Sequence, residues 1–99
     1  MTYKNNIVKV NGRKGVSIFL FALSTCGWCA KAKKLLTDLG LEFEYVYVDL
    51  LGDEDQAEVD AELEKLGTDM SFPKIIINDK IISGFEEQKI RKALEKWIK

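Results

Sequence analysis

The chain has 99 residues and no histidine, one proline (Pro73) and only two cysteines, Cys26 and Cys29. Without an imidazole, acid–base work near neutral pH falls to solvent, a thiol or a carboxylate. Two thiols alone also cannot complete the four-ligand shell of a structural zinc. There is no long hydrophobic run: the most apolar stretch, Val16 to Leu23, is far shorter than the ~20 residues a membrane-spanning helix needs. Met1 to Gly15 is polar and lacks the apolar segment of a signal peptide, so export is not expected and a cytoplasmic location is. Fifteen basic residues balance sixteen acidic ones, and a net charge of −1 gives no basic excess for nucleic acid or an anionic membrane. No repeat, linker or low-complexity segment interrupts the chain, which reads as one domain over 1–99 with a core that needs no staple.

What is present gathers around Phe19-Leu20-Phe21-Ala22-Leu23-Ser24-Thr25-Cys26-Gly27-Trp28-Cys29. This is an apolar strand, a tight turn, and two cysteines three residues apart at the mouth of a helix. Ala32, Leu35, Leu36 and Leu39 follow at the spacing of one buried helical face, and Gly40 supplies a stop. Ser24 and Thr25 offer hydroxyls where an N-cap belongs. Side chains three apart on a helix lie roughly 5–6 Å apart at Cβ, so the sulfurs are within reach of a disulfide. The unpaired amides of a helix start favour negative charge, which predicts a Cys26 pKa below the free-thiol value of about 8.5. Lys31, Lys33 and Lys34 add positive potential near that end. Cys29, deeper in the helix, is the natural resolving thiol. The same spacing is compatible with half of a metal site shared between copies or completed by carboxylates, and with two merely structural cysteines.

Around this motif the pattern predicts the order β-β-α-β-α-β-β-α. Ile7 to Val10 is a short accessory strand that folds back through Asn11-Gly12 onto the next strand. Val16 to Leu23 is a strand covered on both faces, and Glu42 to Val48 is a strand made parallel to it by a right-handed crossover. Asp53 to Leu66 is a helix with acidic entry and a thin apolar face of Ala57, Val59, Leu63 and Leu66, ended by Gly67. Thr68 to Phe72 is a loop. Lys74 to Ile77 and Lys80 to Ser83 form a hairpin about Asn78-Asp79, two residues that tolerate positive φ. A last helix runs from about Glu86 to Trp97 on Ile90, Ala93, Leu94 and Trp97. Pro73, at a strand start, is trans by default.

The strand–Cys26-Gly27-Trp28-Cys29–helix unit, then Ser71-Phe72-Pro73-Lys74-Ile75-Ile76-Ile77-Asn78, then Ser83-Gly84-Phe85-Glu86-Glu87, resembles the glutaredoxin branch of the thioredoxin superfamily. The resemblance covers nearly the whole chain beyond the accessory strand. It implies an α/β thioredoxin fold: a four-stranded mixed sheet flanked by three helices, here with the accessory strand added. It implies dithiol-disulfide exchange with Cys26 as nucleophile and Cys29 as resolving thiol, and a cis-proline loop at Pro73 opposite them. A cis Pro73 leaves the backbone of Phe72 free to pair with an extended ligand.

Several positions depart from the family pattern. Leu23 stands where glutathione-using members carry a lysine, and Gly27-Trp28 replaces their Pro-Tyr. Ser83-Gly84-Phe85 is similar to the glutaredoxin-like redoxins that serve ribonucleotide reductase and draw electrons from a flavoprotein. Lys74 and Glu86 match the charge types that family members use to hold a glutathione-sized ligand. The expected substrate contacts are Thr25, Gly27, Trp28, Phe72, Pro73, Gly84, Phe85 and Glu86, with Thr25 read as a cap and Trp28 as an exposed contact surface. The amides of Phe85 and Glu86 are candidates to bind a carboxylate. No bound cofactor or metal is expected. Partners are disulfide-bearing proteins and an electron donor, either glutathione or a thioredoxin-reductase-type flavoprotein, acting on a monomer at about −200 to −270 mV. Two rivals are a [2Fe–2S] carrier that uses Cys26 from two protomers and a peptide binder that uses the Pro73 loop without turnover.

Overall fold

The computed structural model describes residues 3–67 and 71–97. Five strands, β1 (Val8–Val10), β2 (Ile18–Ala22), β3 (Phe43–Tyr47), β4 (Lys74–Ile77) and β5 (Lys80–Ser83), form one sheet in the order β1-β3-β2-β4-β5. The helices are α1 (Gly27–Asp38), α2 (Asp53–Lys65) and α3 (Glu87–Leu94). β2 lies in the middle, parallel to β3 and antiparallel to β4. Its residues alternate between two cores, which is why the segment is apolar throughout. Ile18, Leu20 and Ala22 pack with Leu36, Ile90 and Leu94 of α1 and α3, whereas Phe21 packs with Tyr3, Val59 and Leu63 beside α2. The four central strands and three helices are those the sequence predicts, and β1 adds the fifth strand.

The accessory strand does not fold back onto its successor. β1 pairs antiparallel with β3, Val8 opposite Tyr45 and Val10 opposite Phe43. Both edges of β2 are already taken, by β3 through the crossover and by β4 through its own pairing, so the outer edge of β3 is where a further strand can add. Asn11-Gly12 is accordingly no hairpin turn. Gly12 passes so close to the chain at Gly40 and Leu41 that a Cβ there would lie 2.6 Å from the Leu41 carbonyl carbon. Arg13 then exchanges backbone hydrogen bonds with Gly40 and Glu42.

Other boundaries also shift. Predicted strand Glu42 to Val48 is trimmed to Phe43–Tyr47, because Val48 enters a single tight turn, Val48–Leu50. On α2 only Val59 and Leu63 are buried; Ala57 and Leu66 of the predicted apolar face are exposed. Gly67, at φ +74, takes the left-handed conformation that stops this helix. α3 starts at Glu87, with Glu86 as its cap, and ends at Leu94 rather than Trp97. Trp97 instead donates its amide to the Leu94 carbonyl in a tight turn and packs half-buried against the core. The β4–β5 turn has positive φ at Asn78 only, whose side chain accepts the Ser17 amide at 3.2 Å. The predicted loop Thr68 to Phe72 lies in part outside the described residues.

Candidate functional site

The parallel pairing of β2 with β3 delivers the end of β2 to one rim of the sheet, where the chain turns into α1. The residue that caps α1 is Cys26 itself. Its sulfur accepts the amide of Cys29 at 3.1 Å, so neither Ser24 nor Thr25 is the cap. The Ser24 hydroxyl is drawn elsewhere: its amide and Oγ both donate to the Asp49 carboxylate, at 2.8 and 2.5 Å. This partner follows from the register. Phe19 to Ala22 each face a residue twenty-five further along on β3, and Ser24 and Asp49 continue that offset. The two hydrogen bonds, led by the one from the Ser24 hydroxyl, hold the Asp49 carboxyl below its usual value.

The two thiols differ in setting. Cys26 is half-buried, while Cys29 is 2% exposed among Leu20, Leu36 and Ile90. Burial, and after it the contact with the Cys26 sulfur, pushes the Cys29 thiol up to about 12. Both cysteines are free thiols. Among the described residues no group of three or more Cys, Asp or Glu is placed to hold a metal ion.

Five of the sequence-predicted contacts, Trp28, Phe72, Pro73, Gly84 and Phe85, gather around this rim. Trp28, 58% exposed, stacks on Phe85 with ring centroids 6.0 Å apart and planes 24° from parallel. Lys31 lays its ammonium 4.6 Å over the Trp28 ring, a cation–π contact. The Phe72–Pro73 peptide bond is cis, and Phe72, Phe85 and Cys26 all pack on one cluster. Gly84, at φ +80, donates its amide to the Pro73 carbonyl at 2.7 Å and so joins the two loops. Gly27 opens α1 with open space around it, and Thr25 is exposed. Glu86 turns toward Lys89, at 3.4 Å, and lines a groove between β5 and α3.

Two lysine expectations are corrected. Lys74 is not available to a ligand: it is fully buried in β4, and its ammonium lies 3.0 Å from the Ser83 hydroxyl. Lys33 and Lys34 do not serve the start of α1. Lys33 binds the hydroxyls of Tyr45 and Tyr47, and Lys34 pairs with Asp38 one turn on. Asp49 and the burial of Lys74 are the features that reading the chain missed. The first was accessible through the register offset; the second had no local signal.

A β-α-β unit that presents a dithiol at a helix start, beside a cis-proline loop, defines a thioredoxin-fold dithiol protein. Comparison with known proteins narrows this. Residues 18–82 match the glutaredoxin family model, and the chain belongs to that family of thiol-disulfide oxidoreductases. It is 33% identical over 79 residues to a glutaredoxin-like 8.6 kDa protein of Clostridium pasteurianum, covering 80% of this chain and 99% of that one. Among solved structures, a glutaredoxin from Methanosarcina mazei Go1 superimposes with a TM-score of 0.76 at 45% identity, over 90% of this chain and 87% of that one. Methanoredoxin from Methanosarcina acetivorans does so with 0.73 at 45% identity, over 85% and 98%. Among the described residues no helix is long and apolar enough to cross a membrane.

Proposed function

We propose that this protein reduces disulfides through Cys26 and Cys29, with Cys26 attacking and Cys29 resolving. The observation that carries this reading is the asymmetry of the pair: Cys26, only half-buried, caps α1 and accepts an amide on its sulfur, while its neighbour is buried with a thiol that resists ionisation. Cys26, as thiolate, attacks one sulfur of the substrate disulfide, forms a mixed disulfide and releases the first substrate sulfur as thiolate, which takes up a proton. Cys29 then loses its proton and attacks the Cys26 sulfur. The second substrate thiol leaves, and the protein holds a Cys26–Cys29 disulfide, two electrons poorer. In the absence of histidine, solvent or the leaving thiolate takes the Cys29 proton.

Trp28, Phe85, Phe72 and Pro73 form the contact surface in this reading, with Thr25, Gly27 and Gly84 lining the approach to Cys26 and Glu86 at its margin. Disulfide exchange needs no bound cofactor. The oxidised pair is returned to the dithiol by a low-molecular-weight thiol such as glutathione or by a flavoprotein reductase. Leu23 in place of the lysine of glutathione-using members, and the burial of Lys74, favour the reductase. A cycling dithiol suits a reducing compartment, so the protein is read as a cytoplasmic monomer.

The order of attack is tested by Cys29→Ser. This variant accumulates mixed disulfides with substrate, visible as mass adducts that dithiothreitol removes. Full dithiol turnover by Cys29→Ser overturns the assignment. Reduction of the oxidised protein by glutathione, compared with reduction by a thioredoxin-reductase-type flavoenzyme, identifies the donor.

A further inference from the structure

Lysine is rarely fully buried, because an ammonium taken from water must be repaid in hydrogen bonds or charge. Lys74 is fully buried all the same, in the middle of an apolar sheet, facing Phe21 on β2 and Ser83 on β5. Its ammonium lies 3.0 Å from the Ser83 hydroxyl and 3.4 Å from the Ser71 hydroxyl. Ser71 lies in the loop before β4, and Ser83 is the last residue of β5, directly across from Lys74. Ser71 precedes Phe72 and the cis Pro73, and Ser83 precedes Gly84 and Phe85. The same two segments meet on their other side through the Gly84 amide and the Pro73 carbonyl, 2.7 Å apart. An ammonium with three donors on a flexible stem can span two hydroxyls in this way from behind.

We propose that Lys74 is a positioning residue that fastens the Ser71–Pro73 loop to the end of β5, and so to the Gly84–Phe85 turn that follows it, from beneath. It thereby sets the spacing of Phe72 and Phe85, which pack on the same cluster as Cys26. The consequence for turnover rests on the disulfide-reductase reading, in which these loops contact an extended substrate. The fastening itself does not. A small disulfide needs only Cys26; a polypeptide disulfide must also seat its backbone between the two loops. Lys74 therefore governs the affinity for polypeptide disulfides and leaves the chemical step alone.

The test is Lys74→Met, which keeps the apolar stem and removes the donors. Two activities are measured, one on insulin disulfides and one on hydroxyethyl disulfide, alongside amide hydrogen exchange at Gly84 and Phe85. The expected result is a KM for insulin raised about tenfold, the scale of losing a hydrogen bond to a charged group, with kcat unchanged. Turnover of hydroxyethyl disulfide stays within about twofold, and exchange at Gly84 and Phe85 quickens about tenfold for the same reason. Removing a buried charge need not lower the melting temperature. If Lys74→Met does not fold, Ser83→Ala asks the same question with the lysine in place, and a smaller shift in the same direction is expected. Unchanged exchange together with an unchanged insulin KM overturns the proposal, as do equal losses on both substrates. A wild-type protein inert toward both disulfides overturns the reductase reading instead, and exchange at Gly84 and Phe85 then decides the fastening by itself.

Discussion

On one face of the sheet, fifteen buried residues close beneath α1 and α3; on the other, seven close beneath α2, counted among the described residues. The thick face carries Cys29 in its core and Cys26 at its rim. The thin face carries a helix with seven acidic residues and one lysine, which touches the sheet through Val59 and Leu63. A resolving thiol has to stay dry and fixed relative to its partner, and only the thick face offers that. The α2 face completes the fold and keeps water from the other side of β2. Lys74 apart, which shares the α2 face with its cross-strand partner Phe21, activity and stability should therefore separate between the two faces.

The largest effect comes from Cys26→Ser, which should reduce turnover of a disulfide to the uncatalysed rate. Serine is itself a good N-cap, so α1 keeps its start and the melting temperature should hold. On the other face, Leu63→Ala should lower stability yet leave kcat/KM within about twofold where the protein is folded, since additivity holds for sites without shared partners. Loss of activity in folded Leu63→Ala would show that the faces are coupled.

Next in size is the same substitution made on each face. Leu36 and Leu63 are both fully buried. Leucine-to-alanine changes cost about 3–5 kcal/mol, according to how far the site can collapse. Leu36 is enclosed by two helices and the sheet, so about 4 kcal/mol is expected. Leu63 lies under one helix bordered by half-buried Ile7, Phe19 and Ile76, which can settle inward, so about 3 kcal/mol is expected. For a chain of this size a difference of about 1 kcal/mol is roughly 4–8 °C in Tm, well within calorimetric resolution. Equal costs would mean that the two cores are equally rigid.

Each face also holds one buried acid with a raised pKa, which gives a third comparison. Cys29 moves from 9.0 to about 12, chiefly by burial. Tyr3, on the α2 face, moves from 10.0 to about 12, by burial and then by Glu62. In both cases the unfolded chain gives up its proton first. The stability they contribute is thus complete below the unfolded value and is lost as pH rises through the folded one. The reduced protein should begin to weaken near pH 9, where Cys29 of the unfolded chain ionises. Cys29→Ala should move that onset to about pH 10, leaving Tyr3, whereas Tyr3→Phe should leave the onset near 9 and flatten the fall above 10. Melting temperatures between pH 8 and about 11.5 decide it. An onset that Cys29→Ala does not move would remove burial as the reason the resolving thiol stays protonated.

Reading the chain succeeds where the signal is local and fails where a partner is chosen from far away. The strand–cysteine–helix unit and the β4–β5 hairpin are legible because periodicity, glycine stops and turn residues all lie within a few positions of one another. β1 misleads because Asn11-Gly12 looks like a turn, while the free edge of β3 decides the pairing. Lys74 misleads because its charge matches the type that family members use to hold a ligand; only the coverage of both faces of β4 makes it interior. α2 shows the same limit in reverse. Ala57 and Leu66 have the spacing of a buried face, but the thin core has no room for them.

The smallest effect concerns a tie that runs from the turn after β3 to the cysteine loop. Asp49 accepts the Ser24 amide and hydroxyl, and it is otherwise exposed. Because these bonds lower its pKa, their contribution is present above the unfolded value of 3.8 and is lost as pH falls through the folded one. Asp49→Ala should cost about 1 kcal/mol at neutral pH, the usual size of an accessible hydrogen-bonded pair, and nothing at acid pH, where the carboxyl is already protonated. Asp49→Asn keeps an acceptor for the Ser24 amide and should recover part of that loss. The effect on turnover should be only a fewfold, because Cys26 is held by the Cys29 amide on its sulfur and by its own amide on the Leu23 carbonyl, neither of which involves Asp49. A drop in turnover as large as that of Cys26→Ser would instead make Asp49 a proton acceptor for the buried thiol. The thick face would then depend on a residue in the turn after β3 for its chemistry as well as for its shape.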